Sequence, residues 1–367
     1  MPATTMPDHQ NKHSSLMSET PYEPIYTLTR GSCVESIHYG AVAVVNVKGE
    51  LISSYGDPYG SSFLRSTAKP FQALPFIEAG GADHFGLSPR EIALICASHS
   101  GTDEQVSAVE GIQAKVGITE ADLRCGTHPP IHKETADAMR LRGEEPTPNR
   151  DNCSGKHSGM LAYAKMKEAT LEGYLEFDHP VQQSILSTFA EMCEVEKESV
   201  GLGIDGCSAP NFSVPFYKAA WGWARLADPV DLAPERAAAC RTIVSAMMAH
   251  PDMVGGPERF DTRLMEVASG RIVVKSGAES YMGLAVMPEG MGANSPALGI
   301  TMKISDGDGR GRARPAVCME ILRQLGALSP EELKALEPFG PTLDIRNRRG
   351  DLVVGEGSPT FILKDYR

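Results

Sequence analysis

Six consecutive residues, Arg65-Ser66-Thr67-Ala68-Lys69-Pro70, set a hydroxyl and an amine at the spacing Ser-x-x-Lys. On a helix, residues three apart share a face, so the Lys69 amine can reach the Ser66 hydroxyl. Pro70 is tolerated only in a first turn, where a missing N–H costs little. The helix running through Phe71-Gln72-Ala73-Leu74 must therefore begin close to Ser66. At such a start, free N–H groups and the helix dipole favour developing negative charge. Serine is a poor nucleophile until a base takes its proton, and a lysine whose pKa is lowered by burial can be that base. Read alone, the same spacing also describes an N-cap serine beside a solvated lysine, so other elements have to decide.

Lys275-Ser276-Gly277, on a late strand, is the second element. Serine acyl-hydrolases of the β-lactamase and penicillin-binding type combine Ser-x-x-Lys at a helix start with Lys-Thr-Gly on a strand. Both parts occur here in that order. The strand would bring a second cation, and its backbone N–H groups could donate to an oxyanion. Ser98-His99-Ser100 lies between them without the Ser-x-Asn form expected of a cell-wall enzyme. His99 reads either as a buried, hydrogen-bonded histidine or as an alternative base. Asn152-Cys153-Ser154-Gly155-Lys156-His157 is not a P-loop, because Arg150 stands where the first glycine belongs and His157 where Ser or Thr belongs. Cys153 and Cys207 both lie in Gly/Ser-rich turns. Two cysteines alone are thin support for a metal, since structural zinc usually takes four ligands.

The elements that must position these groups fall into three stretches. Residues 24–55 read as strands, with Ala41–Val47 and Glu50–Tyr55 as a hairpin across Lys48-Gly49. Ser88-Pro89-Arg90-Glu91 and Thr102–Gln105 are capping boxes, and Gly117 stops the second helix. Residues 122–152 are loop-rich, helices follow at 155–167, 180–194 and 232–250, and Asp205–Pro210 is a turn. After residue 250 strands return at 271–278, 283–287 and 298–304. In the last of these, Ile300, Met302 and Ile304 alternate with Thr301 and Lys303, which predicts one apolar face. Pro315 opens a helix closed by Gly326, and short strands near 351–355 and 359–364 complete the pattern. Strands at both ends bracket a helical middle, an α/β arrangement in which both termini build one sheet. The expected division is a disordered polar leader over 1–22 and one catalytic unit over 23–367. Its α/β lobe takes about 23–100 and 251–367, and its mainly helical lobe about 101–250.

A chain of 367 residues with 41% hydrophobic and 22% charged residues reads as an ordinary globular protein. Its net charge of −12 argues against nucleic acid or an anionic membrane as the main partner. The polar leader has no apolar run like that of a signal peptide, and no stretch reaches the length of a membrane span, so a cytoplasmic location is the default expectation. The eight cysteines form no Cys-x-x-Cys and read mostly as buried small hydrophobes.

Seven segments in order carry a more specific signal: Arg65–Pro70, Cys96–Ser100, Asp122–Gly126, Asn152–His157, Asp205–Cys207, His250–Val254 and Lys275. Over about residues 24–365 the chain resembles the bacterial L-asparaginases of the rhizobial inducible type, and not those with threonine nucleophiles. The resemblance implies a serine β-lactamase/glutaminase-like fold: a central antiparallel sheet from both termini with helices and an inserted helical lobe. It implies two Ser–Lys pairs, Ser66 with Lys69 and Ser98 with Lys275. It also implies a supportive zinc ion held by Cys153, Lys156 and Cys207, and a homodimer as the assembly. The expected activity is hydrolysis of L-asparagine, with Ser66 as nucleophile and Lys69 as base. The N–H groups of Ser66 and Ala278 would hold the oxyanion, and Arg65 and Asp205 would contact substrate. The rivals are a glutaminase or other serine amidase of the same fold, and a zinc-binding scaffold without turnover.

Overall fold

The computed structural model describes residues 20–367, so most of the expected leader lies outside the described residues. Its strands are β1 (Glu23–Arg30), β2 (Cys33–Asn46), β3 (Leu51–Tyr55), β4 (Ser61–Phe63), β5 (Gly201–Ile204), β6 (Pro210–Pro215), β7 (Ile272–Ser276), β8 (Tyr281–Val286), β9 (Leu298–Ile304), β10 (Leu343–Arg346), β11 (Val353–Pro359) and β12 (Lys364–Asp365). The main sheet is antiparallel and runs β10-β11-β1-β2-β9-β8-β7, with β3 on β2 and β12 on β3. Both ends of the chain build it, as the bracketed sequence pattern predicts. A small second sheet, β4-β6-β5, joins Ser61–Phe63, near the first strands, to two strands in the middle of the chain, where the sequence reading had only a turn at Asp205–Pro210. No helix among the described residues is long and apolar enough to cross a membrane.

β2 is the spine of the sheet. Gly40 pairs with Glu23 of β1 and with Ile304 of β9, and from there to Asn46 the strand is flanked on both sides. That second half, Gly40–Asn46, is wholly buried, whereas Cys33–Tyr39 is mostly exposed. β9 is buried along its entire length, so the one apolar face expected from its alternation is not what forms. Both of its faces are covered, and its polar residues are satisfied internally. Thr301 Oγ1 donates to the Phe216 carbonyl at 2.9 Å, and Lys303 Nζ donates to the Ile304 and Glu279 carbonyls.

The covering element on one face is the helix Phe216–Ala227, which lies across β2, β8 and β9. Gly299 lets it approach: a Cβ there would lie 1.8 Å from the Ala220 carbonyl oxygen and 2.4 Å from the Ala224 nitrogen. Gly283 does the same for Trp223, whose indole nitrogen would meet a Cβ at 2.1 Å. The predicted helices form as Ser154–Met166, Pro180–Met192, Pro234–Ala249 and Arg314–Leu325, and both capping boxes close as read. The loop-rich stretch contains a further helix, Lys133–Arg142, with only Met139 buried; so polar a segment carries no apolar period to announce it.

Because the Gly299 contact is with helix backbone, no side-chain rotation can relieve it. Gly299→Ala should therefore destabilise the protein by at least ~1–3 kcal/mol, the usual cost of overpacking a core. Urea denaturation would show this as a lowered midpoint with an unchanged slope.

Candidate active site

The Ser66 turn is fixed from the small sheet. Leu64 donates its N–H to the Phe212 carbonyl at 2.9 Å, and the Arg65 N–H goes to Asn211 Oδ1 at 3.1 Å. These bonds hold Arg65 at φ +53°, a left-handed conformation that a side chain larger than glycine adopts at a cost. Residues Arg65–Ala68 form a 3₁₀ turn that runs straight into the helix Lys69–Glu78, with Pro70 in its first turn. Ser66 thus stands at a helix entrance, as expected. Its hydroxyl makes no hydrogen bond among the described residues and lines a cavity of about 350 Å³. Ala278, just beyond β7, lines the same cavity, and neither its N–H nor that of Ser66 is taken by a backbone acceptor.

The expected pairing of serines with lysines is not what the hydrogen bonds show. Lys69 Nζ turns away from Ser66 and donates to the Ala97 carbonyl at 2.5 Å, to Ser98 Oγ at 2.9 Å and to the Asn152 carbonyl at 3.3 Å. The physical reason lies in Pro89–Ile95. Ala97 follows the end of that helix, where carbonyls lack intrahelical donors and the dipole favours a cation. Three oxygens surround the amine, and the serine it bonds is Ser98.

Lys275 makes no bond to Ser98 either. It projects from β7, buried like Lys69, with Nζ donating to the Ser276 carbonyl at 2.7 Å and standing 3.9 Å from Asp261 Oδ2. Burial pushes this lysine down to about 7; Asp261 opposes the fall, and the charges of Lys69, Arg259 and Arg314 add to it. The lysine poised near neutrality is therefore Lys275. His99 is withdrawn from base duty. Its Nδ1 accepts the Gly101 N–H at 3.1 Å and its Nε2 lies 2.8 Å from Ser154 Oγ, while burial pushes it down to about 3.

The substrate-side residues do come together. Arg65 Nε donates to Asp205 Oδ1 at 2.7 Å, and both line the cavity beside Ser66, Asn152, Asp151 and His128. Cys125, Cys153 and Cys207 complete that wall. Sequence reasoning missed Asp261, Asn211, His128 and Asp151. Only the loop-rich stretch 122–152, which holds His128 and Asp151, gave a signal, and that signal was compositional.

The three residues expected to hold zinc also converge. Lys156 Nζ donates to Cys207 Sγ at 2.9 Å. A hydrogen bond with Cys153 holds the Cys207 thiol far below its usual range, against burial and helped by Lys156 and His157. Against the cost of its own burial, Lys156 is pushed upward by Cys207 and Cys153. These shifts favour an ammonium–thiolate pairing of Lys156 with Cys207, beside the Cys153 thiol. Next to it, the buried His157 Nε2 has no hydrogen-bond partner among the described residues, while Nδ1 meets Tyr174 Oη at 2.6 Å. Two sulfurs and an amine fit a soft divalent cation, provided that Lys156 gives up its proton. Among the described residues, no group of three or more His, Cys, Asp or Glu side chains could hold a metal, so a site here needs the lysine.

Comparison with known families gives the geometry a context. A model of the L-asparaginase II family matches residues 26–358. The chain belongs to that family. As an L-asparaginase II member it is an amidohydrolase, which accords with an unbonded serine facing a polar cavity. Among curated proteins no match was found. Solved structures similar to this asparaginase-family chain include a probable glutaminase from Bacillus subtilis complexed with 6-diazo-5-oxo-L-norleucine, at 15% identity and TM-score 0.34, covering 74% of this chain and 78% of that one. Mglu in its native form is similar at 14% identity and TM-score 0.41, covering 80% and 66% of the two chains. A Bacillus glutaminase is similar at 12% identity and TM-score 0.34, covering 74% and 84%. Likeness at that level carries no argument about substrate.

Proposed function

We propose that this protein hydrolyses L-asparagine to L-aspartate and ammonia, with Ser66 as the nucleophile. The observation that carries the reading is the Ser66 hydroxyl, free of partners among the described residues, at the wall of a cavity also lined by Ala278 and the Arg65–Asp205 ion pair. Family membership supports the amide substrate. In this reading, one charge of each sign on the cavity wall suits a free amino acid: Arg65 faces its carboxylate and Asp205 its ammonium. Ser66 Oγ attacks the side-chain amide carbon, the two N–H groups hold the oxyanion, ammonia leaves, and water cleaves the aspartyl ester. Lys69 holds Ser98 through its hydrogen bond at 2.9 Å. Lys275, pushed by burial to about 7, takes the proton given up by the serine pair and returns it to the departing amide nitrogen, which leaves as ammonia.

Asparagine is preferred to glutamine in this reading, although one methylene is worth only ~1–3 kcal/mol of discrimination. Ammonia release from the two amides at equal concentration tests it. Faster turnover of glutamine would make the protein a glutaminase on the same machinery, and no release from either would leave a scaffold. Ser66→Ala should lower kcat/KM on the order of 10⁴–10⁶-fold while the circular dichroism spectrum stays unchanged, and Lys69→Met should be nearly as damaging because such groups act as a unit. A folded Ser66→Ala protein with substantial activity would exclude Ser66 as nucleophile.

The pH dependence follows from the sign of the Lys275 shift. A base must be neutral to take a proton, and the neutral fraction of Lys275 grows as pH rises through about 7. We expect kcat/KM to climb about tenfold per pH unit below that value and to level off above it. A profile flat from pH 5 to 9 in a stable enzyme would remove lysine as the acceptor.

Zinc belongs to the same proposal. Cys153, Lys156 and Cys207 would hold one ion per chain, which would supply a fixed positive charge at the cavity wall. Elemental analysis should find about one zinc per chain, lost in the Cys153→Ser, Cys207→Ser double variant, since structural zinc prefers thiolate ligands. Protein that takes up no zinc when it is supplied would contradict the site.

A further inference from the structure

The helix Phe260–Ala268 carries an acidic residue that no motif announced. Asp261 is only 3% exposed, in a part of the core also occupied by the Cys318 thiol. Its Oδ2 accepts two hydrogen bonds from one residue, the Ser276 N–H at 2.7 Å and the Ser276 hydroxyl at 2.8 Å. The same oxygen lies 3.9 Å from Lys275 Nζ. A buried carboxylate is costly unless it is paired and hydrogen-bonded, and this one is both.

The charges around Lys275 are unbalanced without it. Lys69 approaches from the helix Lys69–Glu78, Arg259 from the residue preceding Phe260, and Arg314 from the start of the helix Arg314–Leu325. Cys96, at the end of the helix Pro89–Ile95, faces Lys69 and Lys275 as a thiol that burial pushes up to about 12, so it stays uncharged at neutral pH. Arg314 also donates to the Gly277 carbonyl at 2.8 Å, so the strand end bearing Lys275 is held between a guanidinium and a carboxylate. Three cations therefore act on a buried ammonium, and Asp261 is the acidic group that acts on it most strongly.

We propose that Asp261 is a positioning residue for Lys275. Its carboxylate fixes the strand end at Ser276 and supplies the negative charge that lets the neighbouring ammonium hold its proton near neutrality. This assignment rests on the reading of Lys275 as the proton acceptor only for its effect on rate. The electrostatic coupling itself is independent of turnover.

The test uses the full-length protein labelled with ¹³C at lysine Cε. The Lys275 resonance is assigned by its loss in Lys275→Arg, and kcat/KM for asparagine is measured over the same pH series. Asp261→Asn keeps an acceptor for Ser276 and removes the charge. It should move the Lys275 titration, and with it the acid limb of kcat/KM, at least one pH unit lower, a tenfold or greater loss of proton affinity. Ser276→Ala removes a hydrogen bond but no charge, so a merely structural role would shift both variants alike; only the Asp261 variant should show the large downward shift. If Asp261→Asn does not fold, Asp261→Glu carries the test, because moving the carboxylate by one methylene must displace the titration by about half a unit or more. A Lys275 titration unchanged in folded Asp261→Asn, or in Asp261→Glu where that variant carries the test, would overturn the assignment. A shifted resonance with an unshifted rate limb would support it while removing Lys275 as the acceptor.

Discussion

Two lysine side chains, Lys69 and Lys275, are each 1% exposed, and the cost of burying them shapes the structure around the site. An ammonium removed from water must find oxygen acceptors or a counter-charge, or else lose its proton. The protein uses a different solution for each. Lys69 is surrounded by three oxygens, two of them backbone carbonyls near a helix end and a loop. Lys275 has one carbonyl and a carboxylate nearly 4 Å away, and its hold on a proton is correspondingly loose. The difference between the two cations thus comes from backbone placement, not from the residue type.

That placement explains the architecture. The carbonyl of Ala97 is available because the helix Pro89–Ile95 stops there, and Ser98 is held by its N–H bond to Val254 at 3.1 Å. The Ser66 turn depends on Asn211 and Phe212 of the small sheet, and Lys275 on β7 of the large one. Each reactive group is anchored to an element whose position is set by packing elsewhere. The cavity wall, with Arg65–Asp205 on it, is what remains between them.

Much of this was legible in the residues. Ser-x-x-Lys with a following proline located the helix entrance at Ser66, because proline restricts where a helix can begin. The capping boxes at Ser88 and Thr102 fixed two helix starts. What was not legible was partnership. Spacing put Lys69 beside Ser66, yet the amine follows the unsatisfied oxygens around Ala97, and no linear pattern records where a distant helix leaves its carbonyls. Asp261 is an ordinary acidic residue on a short helix, and only the fold brings it to Lys275. Thr301 and Lys303 looked solvent-facing because polar residues usually are; here each spends its polarity on a backbone carbonyl inside the protein. The helix Lys133–Arg142 and the strands around Asp205 were hidden by polar or turn-rich composition.

The pairing of β2 with β9 has a consequence for how the enzyme comes into being. Val42 lies opposite Met302, so the spine strand waits for a partner about 260 residues further along the chain. Ser66 likewise waits for Asn211, and the cavity waits for Ala278. Pairings this distant in sequence fold slowly, because a long loop must close before any contact rewards it. During synthesis the nascent chain therefore carries its serine for most of its length without a site around it. Hydrolytic capacity appears late and all at once, when β7, β8 and β9 dock. Until then Ala41–Val45, paired with β3 along one edge, keep the edge that β9 will take open, which makes the interval before docking the point at which this protein is most open to aggregation and to help from a chaperone.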